Sequence, residues 1–193
     1  FAAPASSEKM GCVERIIRAF RTCLFHVLKG QELSDDELAT IITECENIIN
    51  SRPLVPITDE PDSDILTPNH LLLGKCGESM PMGFYDEKDR FLRNKWRHVQ
   101  FVTEQFWKQF SLHYFHYLHV RTKWFRPRRC LKVGDYVAIE DKNLPRQTWL
   151  TGRISEVLPS DDGLIRTVRI QTHSGKPPLL RSVQRIVLLE GVE

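Results

Sequence analysis

Six bases lie within twelve residues, Arg121, Lys123, Arg126, Arg128, Arg129 and Lys132, with Trp124 and Phe125 between them. Cations at this density neutralise phosphates, and rings placed among them offer faces on which unstacked bases rest. A solvated charge run at a helix end has the same composition, because bases also suit the carbonyl end of a helix. Lys95, Arg97 and Lys108 could extend the cationic surface along a helix, and Arg153, Arg166 and Arg169 could lie on a strand face. In GCVERIIRAF a single acid, Glu14, stands among basic and apolar neighbours. It is either a helix-surface charge paired with Arg18 at i, i+4 or one member of an acid cluster that holds a metal.

Other chemistry-bearing residues have plainer readings. His113, His116 and His119 are spaced i, i+3, i+6, but no acid or cysteine joins them at ligand spacing, so half-buried packing on a helix accounts for them. Asp59, Glu60, Asp62 and Asp64 match no calcium-loop pattern and read as a solvated loop. Tyr136, Trp149 and Trp124 could form an aromatic cage for a methylated lysine, although core or rim packing explains them as well. Cys12, Cys23, Cys45, Cys76 and Cys130 are thinly spread with no short paired spacing, and are expected to be reduced thiols, mostly in the core of an intracellular protein.

The 193 residues suit one or two domains, and 41% hydrophobic with 27% charged residues is the balance of a globular chain. No apolar run approaches the ~18–20 residues that span a bilayer, and no basic-then-apolar leader opens the chain. Its first residue, Phe1, suggests a piece of something longer. The net charge of +2 hides an asymmetry: ten acids and one base from Glu32 to Asp64, eleven bases and one acid from Arg90 to Lys132. Such blocks point to a polyanion partner for the basic part.

The elements that must carry these residues follow from periodicity. Val13, Ile16, Ile17, Phe20, Leu24, Val27 and Leu28 form one stripe of a helix from Gly11 to Leu28, with Glu14, Arg18 and Arg21 together on its flank. Ser34 and Glu37 make a capping box for a second helix with Leu38, Ile41, Ile42, Cys45, Ile48 and Ile49 inward, ending before Pro53. An acidic, proline-rich loop follows to residue 66, then LTPNHLLLG, where Thr67 caps, Pro68 opens and Gly74 stops a short helix anchored by Leu71, Leu72 and Leu73. Residues 75–88 read as linker. Apolar and aromatic residues then recur from Leu92 to Trp124, predicting a helix over residues 89–126 that spans roughly 50 Å and connects domains or pairs as a coiled coil. The last third changes to short strands at 136–139, 152–157, 165–170, 179–181 and 186–189, which suit a small barrel.

IINSRPL, LTPNHLLLG, KWRHVQFVTEQFWKQF, RPRRCLKVGDYVAI, LPRQTWLTGRISEVLPSDDG and RSVQRIVLL follow one another in an order that resembles BEL/Pao-type retrotransposon integrases. The resemblance covers nearly the whole chain and concerns the end of the catalytic core with the carboxy-terminal domain of unknown function behind it. It implies an α+β fold: a helical remnant of an RNase H-like core over 1–53, a loop and linker over 54–88, a connector helix over 89–126 and an SH3-like β-barrel over 127–193. It further implies DNA as partner, a homo-oligomer in the intact parent, and action in the nucleus, with no membrane.

In that family two aspartates and a glutamate hold Mg²⁺ or Mn²⁺, which activate water or a DNA 3′-OH for in-line attack on a phosphodiester. Glu14 matches the glutamate, although this chain reads Gly11-Cys12-Val13-Glu14-Arg15 where members carry Gly-Gly-Val-Trp-Glu-Arg. Both aspartates would fall upstream of Phe1, so strand transfer is expected of the intact parent and not of this chain. A non-catalytic assembly or chromatin-tethering module derived from such an element is the alternative.

Overall fold

The computed structural model describes residues 11–58, 64–75, 95–119, 130–141, 143–160, 163–172 and 177–192. The chain divides into two compact units, one made of residues 1–48 and 81–114 and the other of residues 49–80 and 115–193.

In the first unit, α1 (Gly11–Leu28) and the greater part of α2 (Asp35–Asn50) accompany most of α4 (Lys95–Leu118). The expected bounds of the first helix are met, but its buried side is rotated. Cys23 and Val27 are buried, whereas Val13 and Ile17 are 49% and 43% exposed. Ile16, Phe20, Cys23 and Val27 follow i, i+4, i+7, i+11, so the inward line runs one step round from the stripe that apolarity alone marks. At α2 the cap forms as expected: the Ser34 N–H and hydroxyl both donate to Glu37 Oε2, at 2.9 and 2.6 Å. Ile41, Cys45 and Ile48 are its buried residues, and Ile42, expected inward, is exposed.

Helix α4 departs most from expectation. All six residues from His98 to Thr103 are buried, so no solvated face exists there, and Trp96, on the expected apolar stripe, is exposed. Two polar members of this run have partners: Thr103 Oγ1 donates to Val99 O at 2.8 Å within the helix, and His98 Nε2 lies 3.0 Å from Gln31 Oε1, far away in sequence. Aromatic residues four apart stack along it: Phe106 on Phe110 at 5.7 Å and Phe110 on Tyr114 at 5.8 Å, with Phe20 meeting Phe106 edge-on at 5.9 Å. Such pairs add ~0.5–1.5 kcal/mol each beyond the area they bury. The helix ends at Leu118, with His119 in a bend. Its 24 residues span roughly 36 Å. The expected extensions over 89–94 and 120–126 lie outside the described residues, as do the linker residues 76–88.

In the second unit the acidic segment is not a plain loop. β1 (Val55–Pro56) pairs antiparallel with β2 (Ile65–Leu66). α3 (Pro68–Leu73) follows. The Thr67 N–H donates to His70 Nδ1 at 3.1 Å, and Gly74, with φ 69°, donates its N–H to His70 O. Leu71, Leu72 and Leu73, expected as an anchor, are 70%, 68% and 60% exposed. Asn69 anchors the helix instead; it is buried and its Nδ2 donates to Ser51 Oγ at 3.0 Å.

The five expected strands all form, as β3 (Tyr136–Ile139), β4 (Leu150–Pro159), β5 (Ile165–Gln171), β6 (Leu179–Ser182) and β7 (Ile186–Glu190). They make one antiparallel sheet in the order β6-β5-β4-β3-β7. Four strands meander, a 3-10 turn at Val183–Arg185 follows β6, and β7 returns to pair with β3. One face buries Val137, Ile139, Ile154, Val168, Ile170 and Ile186. On the other, Ala138 and Val187 pack with Phe115, Leu118, Trp149 and Leu189, so the end of α4 covers β3 and β7. β4 bends through register shifts at Ile154/Glu156 and Leu158/Pro159. Gly152 permits the close approach before the bend, since a Cβ there would meet Gln171 O at 2.4 Å.

Candidate nucleic-acid interface

Of the six expected phosphate-binding residues, Arg121, Lys123, Arg126, Arg128 and Arg129 lie outside the described residues, as does Trp124. Lys132 is exposed at the entry to the sheet, and the backbone there is firmly held. The buried carboxylate of Asp135 accepts the Lys132 N–H through Oδ2 at 2.8 Å and the Val192 N–H through Oδ1 at 3.0 Å. It thereby ties the strand that the basic stretch leads into to the segment leaving β7. Hydrogen bonds to a buried charge are among the stronger ones, at ~1.5–3 kcal/mol.

The arginines of the sheet are largely engaged. Arg153 is half-buried, donates from Nη1 to Gly134 O at 2.9 Å and lies 5.7 Å from the Tyr136 ring centre. Arg169 pairs with Glu156, and Arg181 with Asp141 at 3.6 Å. An exposed pair such as Arg169–Glu156 contributes ~0–1 kcal/mol, so a phosphate could displace Glu156 at small cost. Arg166 and Arg185 are exposed. In the first unit Lys95, Arg97 and Lys108 are exposed on α4, with Lys108 3.8 Å from Glu104.

The two described members of the expected aromatic cage are packed rather than open. Tyr136 is buried with its hydroxyl 2.9 Å from Thr151 Oγ1, and Trp149 packs 5.7 Å from Phe115. The three histidines do not share one environment either: His113 and His116 are exposed and His119 is half-buried. Cys23 and Cys45 are buried free thiols, and burial pushes the Cys23 thiol up to about 11. Cys130 is also free but exposed, against the expectation of a core thiol.

Glu14 is exposed in the first turn of α1. Glu14, Arg18, Arg21 and Phe25 follow i, i+4, i+7, i+11, and all four are exposed, Phe25 by 77%. No ion pair joins Glu14 to Arg18. Among the described residues no three His, Cys, Asp or Glu side chains come together as a metal site. One carboxylate cannot satisfy a hard divalent cation, which takes six or more oxygen ligands. The described residues therefore do not fit the Mg²⁺ or Mn²⁺ pair of the resembled family, and no catalytic step is assigned to them.

Two features were missed from sequence, the first being what the expected Glu37 cap gains from Lys95 and His98 of α4. Glu37 is held below the usual carboxylate range by the Ser34 hydroxyl and the Ser34 N–H, against an opposing effect of burial and with lesser help from Lys95 and His98. His98 Nδ1 lies 3.9 Å from Glu37 Oε1. The second is Gln147, in the β3–β4 connection, which has φ 63° and buries both polar atoms of its side chain.

Residues 94–189 match a family of unknown function, DUF5641. The match takes in α4 and the five-stranded sheet, and leaves out α1, α2 and α3. No curated protein and no solved structure matches the chain. Among the described residues no helix is long and apolar enough to cross a membrane.

Proposed function

We propose that this chain is the carboxy-terminal part of a BEL/Pao-type retroelement integrase and serves it as a DNA-binding module. The observation that carries the reading is the path of the chain through the sheet. A four-strand meander, a bent second strand, a 3-10 turn and a last strand returning to the first are the features expected of an SH3-like barrel. They occur where the resemblance puts that barrel, directly after the basic stretch. The helices α1 and α2 correspond to the end of the RNase H-like core, and α4 to the connector.

Binding works by charge. Arg121, Lys123, Arg126, Arg128, Arg129 and Lys132 take the place of counterions along the sugar-phosphate backbone, so affinity is weak and largely indifferent to sequence. Strand transfer belongs to the intact parent, acting as a multimer in the nucleus, where Glu14 would be one of several carboxylates.

Fluorescence anisotropy of the chain with labelled duplex tests this. Affinity should fall steeply with salt, with a slope near −0.9 per phosphate contacted, and alanine at Arg126, Arg128 and Arg129 should reduce that slope by about 3. Salt-independent binding, or none at low salt, refutes the reading.

The exposed Leu71–Leu72–Leu73 run favours a second reading, a non-catalytic assembly or chromatin-tethering module, because an apolar patch on a firmly capped helix suits a protein partner. Cross-linking and a histone-peptide pull-down separate the two: tethering survives alanine at the three arginines, and DNA binding does not.

A further inference from the structure

We propose that copies of this chain associate through their first unit, the basic exposed side of α1 in one copy lying antiparallel on the acidic exposed side of α2 in the next. The inference does not rest on the DNA-binding reading, because the contact forms without nucleic acid.

α1 carries three arginines and one acid, and α2 carries five acids and no base. Each helix buries one side, at Cys23 and Val27 on α1 and at Ile41, Cys45 and Ile48 on α2. The opposite sides face solvent. The middle of that side runs through Glu14, Arg18, Arg21 and Phe25 on α1, and through Asp36, Ala39, Thr43 and Glu46 on α2; all eight are exposed. Arg18, Arg21, Asp36 and Glu46 hold no ion pair among the described residues. Phe25 is the most exposed large apolar side chain among those residues, and the exposed Val13, Ile17 and Ile42 flank the two lines.

The lines match when run antiparallel, because their steps of four and three coincide. Phe25 then sits over the small Ala39, Arg21 over Thr43 and Arg18 against Glu46. Asp36 falls beside Lys29, and Glu14 lies at the open end opposite the uncharged Asn50, so no like charges meet. α1 set against its own copy would instead bring four arginines together. A nucleic acid would answer the arginines, but Glu14 would repel it and the acidic side of α2 would gain nothing. A second copy answers both sides at once. One helix pair buries less than the ~1,200 Å² of a standard interface, so the association is weak, and salt screens it.

Sedimentation velocity of the full chain without DNA, at low salt and over a concentration series, tests this. The wild type should self-associate, and Arg18→Glu or Glu46→Lys alone should weaken the association at least tenfold, since each opposes like charges across the contact. The double variant Arg18→Glu/Glu46→Lys reverses the pair and should associate again. Phe25→Ala should weaken association while melting like the wild type, and Arg18→Lys should retain it. A wild type that stays monomeric throughout, association that survives both single reversals, or a double variant that fails to recover overturns the inference. DNA affinity lost in Arg18→Glu, with the wild type monomeric, assigns the α1 side to nucleic acid instead. The salt and alanine tests of the basic stretch stand apart from all of these outcomes.

Discussion

The start of α2 and the turn before β4 both reverse the chain and bring a polar side chain back over it, and they do so to opposite ends. At α2, Glu37 takes two hydrogen bonds from Ser34, which answers an orphaned N–H and holds the carboxylate in its charged form. At the turn, Gln147 takes a backbone conformation ill suited to it and buries an amide that no described residue answers. A polar group that is satisfied where it lies serves stability. One without a partner in a strained turn costs stability.

The comparison is sharpened first by a residue on the satisfied side. Asp135 is buried and its two oxygens each accept a backbone N–H. Asp135→Ala orphans both donors and should lower stability by about 3 kcal/mol in urea unfolding, enough to melt the sheet first. Asp135→Asn keeps one acceptor oxygen and should cost less. If Asp135→Ala costs under half that amount, burial and hydrogen bonding do not separate the two classes of polar group as argued.

The α2 cap comes next. Glu37→Ala should cost about 1 kcal/mol, the ordinary value for a helix cap. Its effect depends on pH with a definite sign. The folded-state pKa of Glu37 lies below the unfolded value, so its contribution is present above about pH 4.3 and is lost as pH falls from there through the folded pKa. Thermal melts at descending pH should therefore converge for the wild type and Glu37→Gln. Curves that stay parallel to the lowest pH would show that the cap acts without its charge.

How much of this could be read in advance follows from the range of each signal. Alternation and turn residues are local, so all five strands of the sheet and the Ser34–Glu37 cap were legible. Helix α1 was legible in its limits and not in its facing, because Cys23 was not counted among the inward residues and Val13 was. Leu71–Leu73 read as an anchor because leucine is ordinarily buried, but Asn69, through its bond to Ser51, is the residue that turned inward. Periodicity marks one apolar stripe along α4 and carries no sign that His98 and Gln100, off that stripe, are buried as well. Whether Gln100 or Thr103 faces water depends on what packs around α4, which no local pattern encodes. Gln147 left no trace beyond a turn dipeptide lacking the glycine its geometry favours.

The smallest expected effect tests the unsatisfied side, and three substitutions divide it. Gln147→Ala removes the buried amide and keeps a Cβ at positive φ, so its gain over the wild type measures the unanswered polar group alone. Gln147→Gly removes the amide and the strain together, and its advantage over Gln147→Ala measures the strain, expected near 1 kcal/mol and partly offset by the greater freedom of glycine in the unfolded chain. Gln147→Asn keeps an amide on a backbone it tolerates and should fall between the wild type and Gln147→Gly. Taken together the net gain of Gln147→Gly should be about 0.5–1 kcal/mol. A loss of stability in Gln147→Gly would mean that the buried amide is answered in solution. The turn would then belong with the α2 cap, as a second device for holding the fold, and the contrast between the two would fail.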